Sequence, residues 1–240
     1  MSKPVWQAAW AAMALALAAC SLMPAPVIGP AQNTLTSAEK AEGWQLLFNG
    51  RDFTGWRMYR GGAVGAPWLV ENGTISLNGS GVDIISAEEF GDFELRYDWK
   101  ISPKGNSGVM YFVKETVAAP QTYNTGPEMQ VLDNDGHADG KIPKHRAGAL
   151  YDLVEPPTGV TKPVGEWNEA RIKVSKGRIE HWLNGRLTAE SPYGDAAWRA
   201  MVARSKFKDM PLFGTALRGH IALQDHGDRV WYRNIKIRAL

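Results

Sequence analysis

The segment Phe93–Lys100 alternates apolar and charged side chains without interruption. Successive side chains of a β-strand point to opposite faces, so this segment predicts a strand with one buried and one solvated face. Asn72-Gly73 and Asn184-Gly185 each follow an apolar run, and Asn-Gly is the preferred pair for a two-residue type I′ hairpin. We therefore expect a chain built from antiparallel strands.

The hydrophobic period remains two along most of the chain after Trp44, and one late segment interrupts it. There Trp198, Met201 and Val202 fall on one helical face, with Asp195 as the N-cap. Antiparallel strands need a second layer to bury their apolar faces, so we predict an all-β, two-sheet jelly-roll sandwich with one short late helix. A closed barrel is the alternative. The predicted strands include 108–113, 128–132, 148–154, 169–174, 219–224 and 229–238.

Residues 1–20 have the pattern of a lipoprotein signal peptide. Lys3 supplies positive charge, an apolar run follows, and Leu17-Ala18-Ala19-Cys20 resembles a bacterial lipobox. We expect cleavage before Cys20, lipidation of its thiol, and a periplasmic protein anchored to the outer membrane, because Ser21 resembles the outer-membrane sorting signal. A plain signal peptide with an incidental cysteine is the alternative.

The rest of the chain divides into a tether and one domain. Residues 21–35 are rich in Pro and Ala and predict the tether, and residues 36–240 have the composition of a single globular domain. The formal net charge is only +2, and the Lys and Arg residues are dispersed among acidic residues. This distribution gives no reason to expect nucleic-acid binding, and the lipid anchor is the only membrane contact predicted.

Six ordered motifs follow the tether: "GWQLLFNGRDFTGW", "FGDFELRYDWK" with "GNSGVMYF", "GPEMQVLD", "GALYDL", "GEWNEARIKVSKGRIEHWLNG" and "GHIALQDHGDRVWYRNIKI". Together they resemble the 3-keto-disaccharide hydrolase family, long catalogued as a domain of unknown function. The resemblance covers nearly the whole predicted domain. It implies a concanavalin A-like jelly roll and an enzyme for glycosides whose C3 hydroxyl has been oxidised to a ketone. An upstream sugar 3-oxidoreductase is then an expected partner.

The chemistry of such a substrate follows from its ketone. A ketone at C3 acidifies the proton at C2, so a protein base can remove it; the enolate then expels the C1 substituent, and water can add to the resulting alkene. The net reaction is a hydrolysis. The site needs a base near C2, an acid or metal near the glycosidic oxygen, and a group that stabilises the enolate oxygen.

Glu128 and Gln130 point to the same side of a predicted strand, and Asp133 reaches that side only if the strand bends. Their spacing resembles the Glu-x-Asp-x-x-Glu row of jelly-roll glucanases, but Gln130 cannot share a proton as a carboxylate does. We predict that Glu128 is catalytic and that Gln130 and Asp133 bind substrate. A solvated strand face is the alternative.

Gln224, Asp225 and His226 lie where a predicted strand ends and Gly227 turns the chain. Loops at strand ends commonly carry function. Histidine changes charge near neutral pH, so His226 is the second predicted catalytic residue, and Gln224 and Asp225 are predicted to bind substrate. A turn histidine bonded to the backbone is the alternative.

No cofactor is certain from the sequence, and a divalent metal ion is a hypothesis. Glu128, His226 or Asp133 could hold an ion that binds the keto and adjacent hydroxyl oxygens. The segment Asp133–Gly136 resembles a calcium loop, but Lys144 stands where an EF-hand requires glutamate.

Three further residues are predicted to contact the sugar. Asn106 precedes a predicted strand and could meet sugar hydroxyls, Tyr111 could stack on the pyranose ring, and His145 lies in a basic segment. Two other functions stay open: a retaining glycosidase acting on unoxidised glycan, and a carbohydrate-binding lipoprotein without activity, since fold alone does not fix function.

Overall fold

Antiparallel pairing joins all the strands that the computed structural model describes, and the description covers Met1 and residues 32–240. The predicted signal peptide, Cys20 and most of the predicted tether lie outside these residues. The strands are β1 (Gln45–Leu46), β2 (Trp56–Met58), β3 (Trp68–Glu71), β4 (Thr74–Leu77), β5 (Ile84–Phe90), β6 (Phe93–Ile101), β7 (Asn106–Val113), β8 (Glu128–Leu132), β9 (Asn168–Ser175), β10 (Arg178–Leu183), β11 (Arg186–Pro192), β12 (Gly219–Leu223) and β13 (Val230–Ala239).

The strands form two sheets. The larger sheet has the order β11-β10-β9-β6-β13-β4-β3, with β1 also paired to β13, and the smaller sheet has the order β2-β5-β12-β7-β8. Two short helices accompany them, α1 (Ser37–Ala41) and α2 (Ala196–Val202). Asp195 caps α2 by accepting a hydrogen bond from the Trp198 N–H, as predicted. The predicted two-sheet antiparallel sandwich with a short late helix is therefore confirmed.

The core lies between the sheets. Phe93 in the larger sheet packs edge-on against Tyr111 and Phe112 in the smaller sheet. Ser107 and Tyr232 also join the two sheets through a hydrogen bond of 2.8 Å between their hydroxyl oxygens. Aromatic and aliphatic side chains from both inner faces thus provide the burial that alternating strands require.

Both predicted Asn-Gly hairpin turns are present. Asn72 and Gly73 have φ values of 50° and 72°, and Asn184 and Gly185 have 50° and 79°. Two successive positive φ values define the turn whose twist matches that of the flanking strands. Lys176 and Gly177 form a third turn of this type, with φ values of 51° and 73°, without the Asn-Gly pair.

The predicted strand at 148–154 is wrong. This segment makes only isolated bridges, in which Leu150 pairs with Met129 and with Val154. Positive φ values at Gly148 and Asp152 turn the chain, so it follows the edge of β8 for only a few residues.

The prediction that Tyr111 stacks on a sugar is also wrong. Tyr111 is fully buried, and its hydroxyl lies 3.0 Å from His181 Nε2. Because His181 Nδ1 is 3.3 Å from the Ala149 carbonyl, Nδ1 carries the proton and Nε2 accepts from Tyr111. Tyr111 therefore belongs to the core between the sheets.

The folded unit begins at Gln32, within the segment predicted as a tether. Asn33 Oδ1 accepts from the Asn234 N–H at 2.8 Å, and Asn33 Nδ2 donates to the Gly73 carbonyl at 2.9 Å. Its own N–H donates to Asn234 Oδ1. Asn33 thus fastens the start of the described domain to β13 and to the first hairpin. Within the described residues, no helix is long and apolar enough to cross a membrane.

We expect Asn33→Ala to lower the free energy of unfolding by about 1–3 kcal/mol, because two side-chain hydrogen bonds are lost. Asn33 also has a φ of 53°, which alanine tolerates less well than asparagine. Urea unfolding of the purified protein measures the change, with the exposed neighbour Gln32→Ala as the control. Equal stability of the two variants would show that Asn33 does not fasten the domain.

Candidate active site

Strand pairing places Glu128 in a row of side chains across the smaller sheet. It stands opposite Met110, Met110 stands opposite Ala222, and Ala222 stands opposite Ile85. Directly paired residues share a face, and the last three belong to a small apolar cluster separate from the main core. Glu128 therefore lies on the outer face of this sheet, away from the core between the sheets.

A cavity of about 310 Å³ opens on this outer face. Strands β7 and β8 and the residue after β12 supply its floor, and the connections around the sheet supply its walls. Five of the predicted site residues meet there: Asn106, Glu128, Gln130, Gln224 and His226. The other lining residues are Tyr123, Tyr151, Lys206, Phe207 and Met210.

Gly108 makes room for the Glu128 side chain. Gly108 pairs with Gln130, which makes it the diagonal neighbour of Glu128. A Cβ at this position would lie 2.6 Å from Glu128 Cδ and 2.8 Å from Cγ, and would overlap Oε1. The carboxylate therefore lies directly against the backbone of β7. A residue with a Cβ at position 108 would occupy part of the same space.

Burial dominates the electrostatics of Glu128, which is only 6% exposed. It raises the pKa of this carboxyl from 4.5 to about 8; the Lys206 ammonium opposes the rise, and the carboxylates of Asp83 and Asp139 add to it. A carboxyl with this pKa is a stronger base than an exposed glutamate once it is ionised, and it ionises within the physiological range.

Amide side chains surround the carboxylate. Among the described residues, Asn106 Oδ1 and Gln224 Oε1 are buried without a hydrogen-bond partner. Gln130 Oε1 accepts from the Val131 N–H at 3.1 Å, which leaves the Gln130 amide nitrogen as a donor. Unpaired buried acceptors are costly, so these oxygens suit a ligand rich in hydroxyl groups.

His226 lies at the rim, with about half of its side chain exposed. In the described part of the chain, its ligand atom lies within 4.8 Å of those of His137 and Asp228, a set that could hold a metal ion. Glu128 is not a member of this set. His137 Nδ1 already accepts from the Asp139 N–H, and Asp228 accepts from the Asn106 N–H, both at 3.1 Å. A neutral imidazole that accepts at Nδ1 carries its proton on Nε2, so neither nitrogen of His137 is free to bind an ion. An ion would therefore compete with the hydrogen bond from the Asp139 N–H to His137 Nδ1.

Tyr151 forms one wall of the pocket, and Asp139, His145 and Lys206 contact it. Its hydroxyl donates to Asp139 Oδ2 at 3.1 Å, and burial raises its pKa, so the phenol stays protonated. The His145 ring lies 4.4 Å from the Tyr151 ring and its Nε2 lies 2.9 Å from Asp152 Oδ1. Lys206 Nζ lies over the Tyr151 ring, 4.0 Å from the ring centre.

Three further predicted site residues do not line the pocket. Asp133 accepts from the N–H groups of Lys104, Asp135 and Gly136, which lower its pKa although partial burial opposes them. It therefore ties two loops together. His145 packs against the Tyr151 ring and does not line the pocket, so the structure gives no support to its predicted contact with sugar.

Asp225 also has a structural position. Its carboxylate accepts from the Gly227 N–H at 2.9 Å and lies against Gly81, where an added Cβ would be 3.2 Å from Oδ2. Gln224 faces the pocket, and the next residue in an extended chain points the other way. Asp225 therefore does not line the pocket, and the oxygens of Asp133 accept from backbone N–H groups, so the structure gives neither residue a place beside a bound substrate.

Five lining residues were not predicted from the sequence. Tyr123 comes from the β7–β8 connection, Tyr151 from the β8–β9 connection, and Lys206, Phe207 and Met210 from the connection after α2. Four of them lie outside the predicted strands, and Tyr151 lies in the segment 148–154, which was predicted as a strand. Tyr151 was present in the motif "GALYDL", which is the one sequence signal that pointed to this wall.

The pocket on this jelly roll combines a carboxylate, amide groups and aromatic rings, a lining that suits a carbohydrate ligand. A carbohydrate binding module, CBM66 from Bacillus subtilis, shares the fold at 15% identity, with a TM-score of 0.50 over 77% of this chain and 96% of its own. A crystal structure of a candidate glycosyl hydrolase from Parabacteroides distasonis is 37% identical, with a TM-score of 0.81 over 88% of this chain and all of that one.

Residues 43–238 match the family described as the 3-keto-alpha-glucoside-1,2-lyase-like domain. A 3-keto-disaccharide hydrolase from Bacteroides thetaiotaomicron is 36% identical over 230 residues, which cover 83% of this chain and 79% of that protein. The chain therefore belongs to this family, and it is an enzyme of the glycoside hydrolase type.

The buried carboxyl predicts a pH-dependent stability. Between pH 4.5 and about 8 the unfolded chain ionises Glu128 while the folded chain keeps it protonated, so the unfolding free energy falls as pH rises. Glu128→Gln removes this pH-dependent contribution to the unfolding free energy. We expect the variant to exceed the natural protein in stability by an amount that grows from pH 5 to pH 8, on the order of 1 kcal/mol or more at pH 8. Urea unfolding across this range, with the exposed Glu155→Gln as control, measures it; a constant difference would contradict the raised pKa.

Proposed function

We propose that this enzyme cleaves 3-keto-glycosides by elimination, with Glu128 as the base that removes the C2 proton. The enolate expels the substituent at C1, and addition of water to the alkene completes a net hydrolysis. One observation carries the proposal: among the described residues that line the pocket, Glu128 is the only carboxylate, and it is buried.

Elimination needs one strong base, and Glu128 meets this requirement. Its pKa of about 8 gives the ionised carboxylate more driving force for proton abstraction than an exposed glutamate has. Gly108 allows the carboxylate to lie against the backbone of β7, and this contact limits the directions in which the carboxylate can point. The base is therefore both strengthened and oriented by its surroundings.

The other floor and rim residues have roles consistent with this chemistry. The free oxygens of Asn106 and Gln224 accept from sugar hydroxyls, and the Gln130 amide donates to them. His226 at the rim supplies a proton to the departing glycosidic oxygen. These assignments support the proposal through the match between unpaired pocket groups and a polyhydroxylated ligand.

A retaining glycosidase is a weaker candidate for this pocket. It requires two carboxyl groups roughly 5–5.5 Å apart, one as nucleophile and one as acid/base. In the row Glu-x-Asp-x-x-Glu, Gln130 takes the place of the middle acid. Asp133 takes the place of the last acid, but it does not line the pocket and accepts from three backbone N–H groups.

The cellular setting is part of the proposal. A substrate ketone at C3 must be produced from an alcohol, so an oxidoreductase acting on sugar C3 is expected upstream. The lipobox-like segment ending at Cys20 supports an enzyme anchored at the periplasmic face of the outer membrane.

Turnover of matched substrates tests the proposal. We expect the purified protein to cleave a 3-keto-glucoside and to leave the unoxidised glucoside intact, with kcat/KM rising with pH toward about 8 as Glu128 ionises. Glu128→Gln should lose at least ~100-fold in kcat while Glu155→Gln retains activity. Cleavage of only the plain glucoside would instead establish a glycosidase, and binding without cleavage a carbohydrate-binding protein.

Gly108→Ala provides a second test that keeps the carboxylate. The added Cβ must displace the Glu128 side chain, so activity should fall with the carboxylate still present. Circular dichroism confirms whether the fold is retained. Full activity of this variant would show that the contact between Glu128 and the backbone of β7 does not orient the carboxylate.

Removal of metal ions tests the remaining cofactor hypothesis. A metal-independent elimination by Glu128 predicts unchanged kcat after dialysis against EDTA. Loss of activity restored by one divalent ion, together with a similar loss in His137→Ala, would instead assign the ion to the set of His137, His226 and Asp228.

A further inference from the structure

Lys206 supplies the positive charge that lowers the pKa of Glu128, the proposed base. It lies in the connection between α2 and β12 and lines the same cavity as Glu128. Of the described residues that line this cavity, only Lys206 carries a permanent positive charge. No carboxylate of the described residues lies within 4.0 Å of its ammonium nitrogen, although Lys206 is the foremost charge that lowers the pKa of Glu128.

The position of Lys206 is fixed at two points. Its backbone N–H donates to Asp152 Oδ2 at 2.7 Å, and its Nζ lies 4.0 Å from the centre of the Tyr151 ring. Asp152 also binds His145, and His145 stacks on Tyr151. The same group of side chains therefore holds both the loop that carries Lys206 and the aromatic ring beneath its ammonium group.

The other polar groups of the pocket are less suited to a developing negative charge. The Tyr151 hydroxyl is engaged by Asp139, and the unpaired buried oxygens of Asn106 and Gln224 repel an anion. The Gln130 amide nitrogen can donate a hydrogen bond but carries no charge. The aromatic face under Lys206 holds a cation without neutralising it as a carboxylate would. The ammonium group thus keeps its charge available to a ligand.

We propose that the Lys206 ammonium group stabilises the enolate oxygen that forms on C3 of the substrate. This inference rests on the proposed elimination. The C2–H bond breaks, its proton passes to Glu128, and its electron pair forms the C2–C3 double bond while the ketone oxygen becomes negative. When the C1–O bond breaks, C1 and C2 become doubly bonded, the C3 ketone reforms, and the departing oxygen takes a proton from His226. Lys206 is unchanged throughout.

This arrangement explains how one residue assists both states of the reaction. Before proton transfer, the ammonium group favours the ionised form of Glu128 against the cost of burial. After transfer, the negative charge has moved from Glu128 to the substrate oxygen. A charge that lines the same pocket as the base stabilises the migrating negative charge with little reorganisation.

Substitution of Lys206 tests the inference. We expect Lys206→Met, which keeps most of the stem and removes the charge, to lower kcat on a 3-keto-glucoside about 100-fold, as loss of one oxyanion donor does. KM should change much less, Lys206→Arg should retain most of the activity, and the exposed neighbour Lys208→Met should behave as the natural protein. A Lys206→Met variant within about twofold of the natural kcat overturns the inference.

A substrate analogue that lacks the leaving group isolates the enolate step. With a 1-deoxy-3-keto sugar in D₂O, the natural protein should catalyse deuterium uptake at C2, and Lys206→Met should lose this exchange as it loses turnover. Normal exchange with slow cleavage would place Lys206 at a later step and overturn the inference. Reductive trapping of a Lys206 adduct by borohydride would replace the electrostatic role with an imine.

The two proposals fail in different ways. Inactivity of the natural protein toward the 3-keto-glucoside, with no exchange at C2, removes the proposed function and this inference together. Activity of the natural protein combined with full activity of Lys206→Met removes only the inference.

Discussion

The burial of one carboxyl group against a strand backbone is the constraint on which the site depends. Burying an ionised glutamate costs free energy. The fold buries Glu128, and the pKa of its carboxyl group rises as a result. Gly108 leaves room for the Glu128 side chain against β7, and the pairing of β7 with β8 brings the two residues together. The two-sheet core supplies the stability that permits this local cost, because aromatic packing between the sheets does not involve Glu128.

Local periodicity predicted the sandwich and the strand that carries Glu128, the proposed base. Period two along β8 correctly placed Glu128 and Gln130 on one face, and the hairpin and capping residues marked several element boundaries. The order of strands in the smaller sheet is set by pairing between distant segments, which periodicity does not encode. The meeting of Asn106 and Gln224 beside Glu128 therefore required the structure.

Two of the predicted site residues, Tyr111 and Asp225, lie off the pocket because alternation along an extended chain turns them away from it. Tyr111 is five residues from Asn106, so alternation puts them on opposite faces of β7; the register shift opposite Ile221 then turns Phe112 inward as well, with a φ of 57°. Asp225 faces away from Gln224 for the same reason of alternation. Asp133 belongs to another case, in which a carboxylate near a strand end is consumed by turn N–H groups.

The division between sheet and loops has a chemical meaning. The sheet contributes groups whose positions must be rigid, the carboxylate and the amides, whereas the connections contribute Tyr151 and Lys206, which are held by side-chain contacts with Asp139 and Asp152. A glucanase-like row of carboxylates would place negative charges together and would need no nearby ammonium group. With an uncharged Gln130, a single glutamate and a lysine in one pocket, the charges suit the proposed proton transfer and enolate, and that chemistry does not need an acid at position 130.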